Sequence, residues 1–453
     1  MVELKRELGV VQAMLLGLGA IIGTGVFVSI GIAASVTGPS VVLAVAVACV
    51  VAVCNGLSSA QLAASHPVSG GTYEYGYRWL NPLAGFTAGW MFLCAKSASA
   101  ATAALGFSAY LLTFLGHGSS SLYVPVAATA VVLLTLLVLQ GISRTSLVNS
   151  VIVAVTLSSL VLLILCGTPQ TLEFEADHWR PFMNPADQLH PLAAFGRACA
   201  LMFVAFTGYG RIATMGEEVR DPERTIPRAM ILTLIVSSLL YMLVAVVAVG
   251  VVGAGGIAQQ TLTGTAALFA VADAAGGSPV VFLLTCGAVS AMLGVLLNLL
   301  LGLSRVMLAM GRRQDLPRQL GKLSAAGGTP VAAVIAVAVI ILVLVCTGDV
   351  GLTWSFSALT VLIYYSLTNL AALQLRAEQQ LYPRFVSWLG LVLCLLLALH
   401  LDGRVWAAGG CCLATGLVIR RVCNGSAVRK MAEQKTVEQD MAEQDPVESS
   451  GES

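Results

Sequence analysis

The sequence predicts an all-α polytopic membrane protein. Its twelve transmembrane helices would form a five-plus-five inverted repeat with discontinuous helices 1 and 6, followed by two additional C-terminal helices. Three observations predict this. Of 453 residues only 10% are charged, while 57% are apolar. Apolar runs close to the roughly 20 residues that a bilayer demands recur from end to end. Two of those runs, five spans apart, carry paired glycines beside a hydroxyl residue near mid-membrane. A soluble core of this size would show polar helix faces at a period of about 3.6, and these runs do not. In lipid the backbone must satisfy itself, so helices are the expected element, and the alternation of a barrel is absent.

In chain order the spans are 12–35, 41–64, 84–115, 123–140, 149–167, 192–214, 229–253, 279–309, 331–347, 350–374, 386–400 and 405–420. The run at 386–400 is the shortest. The chain then divides into an N-terminus (1–11), a first repeat (12–167), an external loop (168–191), a second repeat (192–374), two added spans (375–420) and a polar tail (421–453). Residues 65–83 form an aromatic connector whose tyrosines and Trp79 suit the bilayer interface. A short helix on the outer surface is expected within 254–278. From Asn424 the composition cannot bury a core, so the tail should be disordered.

Lys and Arg fall in alternate loops. Lys5, Arg6, Arg78, Arg144, Arg220, Arg228, Arg312, Arg313 and Arg420 share one side, whereas the opposite loops hold only Arg180 and Arg404. Both termini are therefore expected to be cytoplasmic in an inner, cell membrane. Residues 1–15 lack a signal-peptide cleavage pattern, so the first run is expected to stay as a span. Cys49, Cys54, Cys94, Cys166, Cys199, Cys286, Cys346 and Cys394 lie within apolar runs, and no Cys/His spacing suits a metal. No nucleotide loop or nucleophile triad occurs, so no enzyme activity, cofactor, metal or nucleic-acid partner is expected.

The two glycine-bearing runs read "GLGAIIGTGVFVSIG" at 17–31 and "LMFVAFTGYGRIAT" at 201–214. Each interior glycine costs a helix about 1 kcal/mol relative to alanine. For Gly17, Gly19 and Gly31 close packing is the favoured explanation. It fits less well for Gly23-Thr24-Gly25 and for Thr207-Gly208-Tyr209-Gly210. An unwound point in lipid leaves amides and carbonyls without partners, so such breaks should face a ligand or a wet cavity. Free N–H groups at a half-helix start suit a carboxylate, and free carbonyls suit an ammonium. Breaks at equivalent positions of two repeats are the mark of a transporter built by inversion.

"GAIIGTGVF" at 19–27 resembles the first-span signature of the amino acid–polyamine–organocation (APC) transporters. "FVAFTGYG" with "EEVRDPERTIPRAM" at 217–230 is similar to the sixth span and following loop of that superfamily. "SGGTYEYGYRWLNPLAGFTAGW" at 69–90 and "SRVMLAMGRRQDLP" at 304–317 resemble its other cytoplasmic markers. The resemblance covers about residues 5–420 in order. It implies an amino acid permease, a secondary transporter or exchanger working by alternating access. By position, the amides of Gly23, Thr24 and Gly25 would hold a substrate carboxylate. The carbonyls of Ile21, Val204 and Thr207 would meet its amino group. Phe206 and Tyr209 stand where relatives use bulky side chains near the occluded substrate, and packing explains them equally well.

The chain also departs from that pattern. Where proton-linked relatives carry a fifth-span lysine, Thr156 stands near the expected place. Gly210 and Arg211 follow the sixth-span break where an acidic residue is common. Neither proton nor sodium coupling can then be transferred from the superfamily. Charges inside spans are costly and point to function. Lys96, well inside the third span, could exchange protons, replace a missing cation or pair structurally. Arg211 stays protonated and could recognise an acidic substrate, neutralise a half-helix end or pair structurally. Glu217 and Glu218 could pair with Arg305 or Arg312-Arg313 as an inner gate, or be solvated loop charges. Ala20, Val26, Val204 and Ala205 are small, so a small neutral amino acid is the first expectation. Acidic amino acids or amines are the alternative, as is a non-transporting sensor or partner-dependent subunit.

Overall fold

The computed structural model describes residues 8–68, 70–117, 121–140, 146–173, 175–183, 190–213, 219–262, 266–324 and 329–444, with backbone alone for 146–147, 262 and 424–444. Each of the twelve expected runs falls on a helix. The first comprises α1 (Val10–Ile21), α2 (Thr24–Phe27) and α3 (Ser29–Thr37). Then come α4 (Val41–Ser65), the connector helix α5 (Thr72–Trp79), α6 (Pro82–Phe114), α7 (Tyr123–Leu139) and α8 (Ser146–Leu172). The sixth run comprises α9 (Pro191–Phe206), a 3-10 turn at Thr207–Tyr209, and α10 (Gly210–Ala213). The remainder are α11 (Pro222–Leu262), α12 (Phe269–Arg312), α13 (Val331–Val345), α14 (Val350–Leu373), α15 (Arg384–Leu399) and α16 (Gly403–Gln444).

Among the described residues nine helical stretches are long and apolar enough to cross a membrane. The apolar helices α7, α13 and α15 are shorter, at 10–17 residues. The exterior suits lipid: Leu133, Leu165, Leu239, Val343 and Leu399 are all exposed. Such a surface would drive association in water. The chain is a polytopic α-helical membrane protein.

Two local expectations are corrected. Gly253 (φ 70°) and Gly277 (φ 63°) interrupt α11 and α12 in the left-handed region that only glycine enters cheaply. The segment 254–278 therefore holds two short helical stretches, at 254–262 and 269–276, rather than one. Beyond residue 421 the backbone continues helical to Gln444, where the composition predicts disorder. That stretch is rich in Ala, Glu, Gln, Lys and Met, all strong helix formers. Extending an existing helix also needs no new nucleus.

Helices that pack in lipid gain no hydrophobic driving force from each other, so small residues and hydroxyls must hold them. Between α6 and α14, Ser99 Oγ lies 2.9 Å from Ser357 Oγ and Thr102 Oγ1 2.9 Å from Thr353 Oγ1. Ser357 Oγ also donates to Ala95 O at 2.9 Å. Asn369 Nδ2 of α14 donates to Asn55 Oδ1 of α4 at 2.6 Å, and Ser58 meets Ser387 of α15 at 2.9 Å. Gly17 lies against Ile212 and Thr233, Gly19 against Asn149, and Gly31 against Thr261 and Ala267, as close packing requires.

On the side of the basic loops, one buried carboxylate joins three segments. Asp315, only 2% exposed, follows α12. Its Oδ2 accepts from Tyr73 Oη at 2.8 Å and Tyr77 Oη at 2.6 Å, both on α5. Its Oδ1 pairs with Arg420 Nε of α16 at 3.1 Å. Burial, and then the hydrogen bond to Asp315, push the Tyr77 phenol up to about 12, and Tyr73 moves the same way. Both therefore remain neutral donors at any physiological pH. Arg313 bonds Glu74 at 3.0 Å and lies over the Tyr77 ring. It thus belongs to this cluster; Glu217 and Glu218, expected at an inner gate, lie outside the described residues. Arg197, near the start of α9, pairs with Asp402 at 2.7 Å.

Removing the carboxylate strands two phenols and a guanidinium. Asp315→Ala should destabilise the protein by about 3 kcal/mol, the usual cost of breaking a buried pair from one side. A melting curve in detergent reads this directly, and an unchanged midpoint would refute the role.

Candidate functional site

The first break lies between α1 and α2. Ile22 N still bonds Leu18 O at 2.7 Å, but Gly23 is extended (φ 179°, ψ −112°). The helix restarts at Thr24, with Phe27 N bonding Gly23 O at 3.1 Å. The second break is the 3-10 turn at Thr207–Tyr209. The two meet at Gly208: a Cβ there would fall 2.5 Å from the backbone carbonyl of Ala20. Any side chain at 208 would push one broken helix off the other. This close approach, rather than backbone flexibility, accounts for the glycine.

Carbonyls freed by the breaks find side-chain donors. Tyr241 of α11, fully buried, places its hydroxyl 2.7 Å from Ile21 O and 3.3 Å from Ala205 O. Gly25 leaves room for that hydroxyl, which a Cβ would strike. Val204 O accepts from Thr207 Oγ1 at 2.8 Å. Lys96 Nζ, from α6, donates to Thr207 Oγ1 at 2.9 Å and to Thr207 O at 3.4 Å. Tyr365 Oη of α14 reaches the same carbonyl at 3.4 Å.

A cavity of about 130 Å³ lies against the second break. Its wall includes Ala20, Phe92, Lys96, Thr207, Gly208 and Tyr365. It runs past Arg211, Asn298 and Arg305 to Gly70 and Tyr73, on the side of the basic loops. Beyond the breaks, Tyr110 Oη donates to Phe27 O at 3.0 Å and accepts from Leu268 N at 3.3 Å. Around this plug a separate space of only about 30 Å³ remains.

Of the residues expected to bind substrate, the structure places Thr207 on the cavity wall. Gly23 packs against Val295 and Ala291, while Thr24 and Gly25 are buried off the wall. Ile21 and Val204 contribute carbonyls that protein donors already meet. Phe206 packs on Tyr241 (ring centroids 5.0 Å apart) and Tyr209 on Tyr365 (5.6 Å), each away from the wall. Thr156 bonds its own helix at Ile152 O (2.7 Å) and touches Gly287 O of α12 (3.5 Å). It serves the α8–α12 contact. Lys96, Arg211 and Arg305 do line the cavity.

Sequence reasoning missed Tyr241, Tyr365 and Asn298. A signal was present. Tyrosine belongs at membrane interfaces, so a tyrosine at mid-span needs a buried partner. Asn298 is the lone amide in a long apolar run, which deserves the suspicion given to charges. Tyr241→Phe should leave Ile21 O and Ala205 O without their side-chain donor. A loss of about 1–3 kcal/mol in unfolding stability is expected. A variant that melts with the wild type would show that the hydroxyl caps nothing of consequence.

A sequence profile of the family described as amino acid permease matches residues 8–403. Relatives point the same way. An uncharacterized transporter of Mycobacterium tuberculosis is 37% identical over 93% of this chain and 92% of its own length. A branched-chain amino acid permease of Bacillus subtilis is 29% identical over 72% of each chain. A vacuolar cationic amino acid transporter of Arabidopsis thaliana is 26% identical over 83% of this chain and 64% of its own. With the broken helices, the cavity between them and a family match across nearly the whole membrane domain, the chain belongs to the amino acid permease family of the APC superfamily, whose members are membrane transporters and not enzymes.

Proposed function

We propose that this protein carries a small amino acid across the cell membrane by alternating access, binding it in the cavity beside Thr207 and Gly208. The observation that carries this is the cavity's position. It abuts the meeting point of two broken helices and runs towards one face, while Tyr110 and Phe27 close the other. An inward-facing transporter needs that asymmetry. Both termini then lie on the cytoplasmic side with the basic loops.

The packing pattern supports two repeats of five. Count the broken helix α1–α3 as span 1, and α4, α6, α7 and α8 as spans 2 to 5. The second set is α9–α10, then α11, α12, α13 and α14. Exchanging each span with its counterpart maps observed contacts onto observed contacts. The contact α8·α12 becomes α14·α6, α1·α11 becomes α9·α4, and α1·α8 becomes α9·α14. Likewise α6·α7 becomes α12·α13, and α13·α6 becomes α7·α12. Such reciprocity follows from an internal two-fold relation. On this reading α15 and α16 stand outside the repeats.

The expectation of a neutral substrate drew on Ala20, Val26, Val204 and Ala205. Of these only Ala20 reaches the cavity wall, so the small residues speak for close helix packing more than for substrate choice.

Purified protein in proteoliposomes should take up at least one labelled amino acid saturably. Gly208→Leu should abolish that uptake by separating the broken helices. Binding without flux would replace the transporter with a sensor of the same fold. Tyr110→Ala should weaken the outer plug and raise labelling of a cysteine placed at Ala109 by an impermeant thiol reagent. Equal labelling with and without the substitution would remove Tyr110 from the gate.

A further inference from the structure

We infer that the substrate carries a net negative charge, that of an acidic amino acid, and that Lys96 is the residue selecting it. The inference rests on the transporter reading above and extends it to substrate class. Lys96 reaches the cavity from α6, where the hydroxyl contacts to α14 at Ser99 and Thr102 fix its helix. Its hydrogen bonds go to Thr207 Oγ1 and Thr207 O, both neutral acceptors. Among the described residues no carboxylate forms an ion pair with it, and none lines the cavity. Arg211 and Arg305 share the wall and each has a partner, and Lys96 adds a cation whose only hydrogen bonds go to neutral oxygens.

An ammonium deep in a span is costly to leave without a counter-charge. A zwitterion brings no net charge and leaves the balance unchanged. A ligand with one extra carboxylate closes it. The ammonium has three donors, and Thr207 takes two acceptor positions, which leaves an N–H for a ligand oxygen.

The carbonyls released at the breaks are already met by protein donors. The carbonyls of Ile21, Val204 and Thr207 would receive a substrate ammonium. In this chain they accept from Tyr241, from Thr207 Oγ1, and from Lys96 with Tyr365. Protein donors thus occupy the positions where a cationic group would gain most. Recognition shifts towards the anionic end of the ligand.

Isosteric pairs give the test, since glutamate and glutamine, or aspartate and asparagine, differ little except in charge. In proteoliposomes containing the full-length protein, labelled glutamate or aspartate should enter saturably and the matching amide far less. Lys96→Met should weaken acidic uptake by about 30-fold or more, the scale of losing one partner of a buried charge pair. Lys96→Arg should restore part of it. Saturable uptake of alanine, leucine or glutamine in preference to the acids would overturn the charge assignment while leaving amino acid transport standing. Failure of every amino acid to enter would overturn both. Equal loss of all substrates in a well-folded Lys96→Met protein would make the lysine a structural pin and refute its selecting role. Should that variant fail to fold, the acid–amide preference of the wild type decides alone.

Discussion

Everything in this site follows from one constraint: a carbonyl released from a helix inside a bilayer has no water to turn to. Each unsatisfied group costs several kcal/mol there. The chain breaks two helices and then supplies the missing donors from neighbouring spans. Tyr241 serves Ile21 and Ala205, and Lys96 with Tyr365 serves Thr207. Those donors set where α6, α11 and α14 must stand. The hydroxyl contacts along α6 and α14 are the consequence, because a lysine must reach its acceptor from a helix that cannot slide.

The same constraint explains why glycines divide into two kinds. Gly208 exists so that one broken helix can touch the backbone of the other at Ala20. Gly25 exists so that the Tyr241 hydroxyl can enter between them. Gly17, Gly19 and Gly31 admit neighbouring side chains and have nothing to do with a ligand. A glycine count in a span is therefore a poor guide to a site. What distinguishes Gly208 and Gly25 is that each admits a group belonging to the breaks themselves, the Ala20 carbonyl in one case and the hydroxyl that serves Ile21 O in the other.

This bears on what could be read from sequence. Helix positions were legible, because length and apolarity decide them and lipid allows few alternatives. The two breaks were legible as well, since Thr207-Gly208 and Gly23-Thr24-Gly25 combine low helix propensity with a hydroxyl at mid-span. Lys96 stood out for its charge. The cavity wall was not legible. Its lining comes from residues far apart in sequence, Asn298 of α12 and Tyr365 of α14 among them, brought together by long-range packing. Local pattern carries no such information. The helical continuation beyond residue 421 was missed for a different reason: composition reports the absence of a core, and a helix growing from a membrane anchor does not require one.

On the alternating-access reading the site opens to one face at a time, and the ties beside the cavity differ from those at the first-span break. On the face where the cavity runs, the ties are ionic: Asp315 with Arg420 and two phenols, and Arg313 with Glu74. They link α5, the segment after α12, and α16. On the other face Arg197 pairs with Asp402, while at the first-span break itself Tyr110 bridges the broken span to the segment at Leu268 by neutral hydrogen bonds. A charged cluster is hard to dissolve and suits a frame, whereas one phenol exchanging neutral hydrogen bonds can be released at the modest net cost of about 1 kcal/mol each. The proposed transport cycle therefore places its moving boundary at Tyr110 and the first-span break, with the Asp315 cluster in the frame.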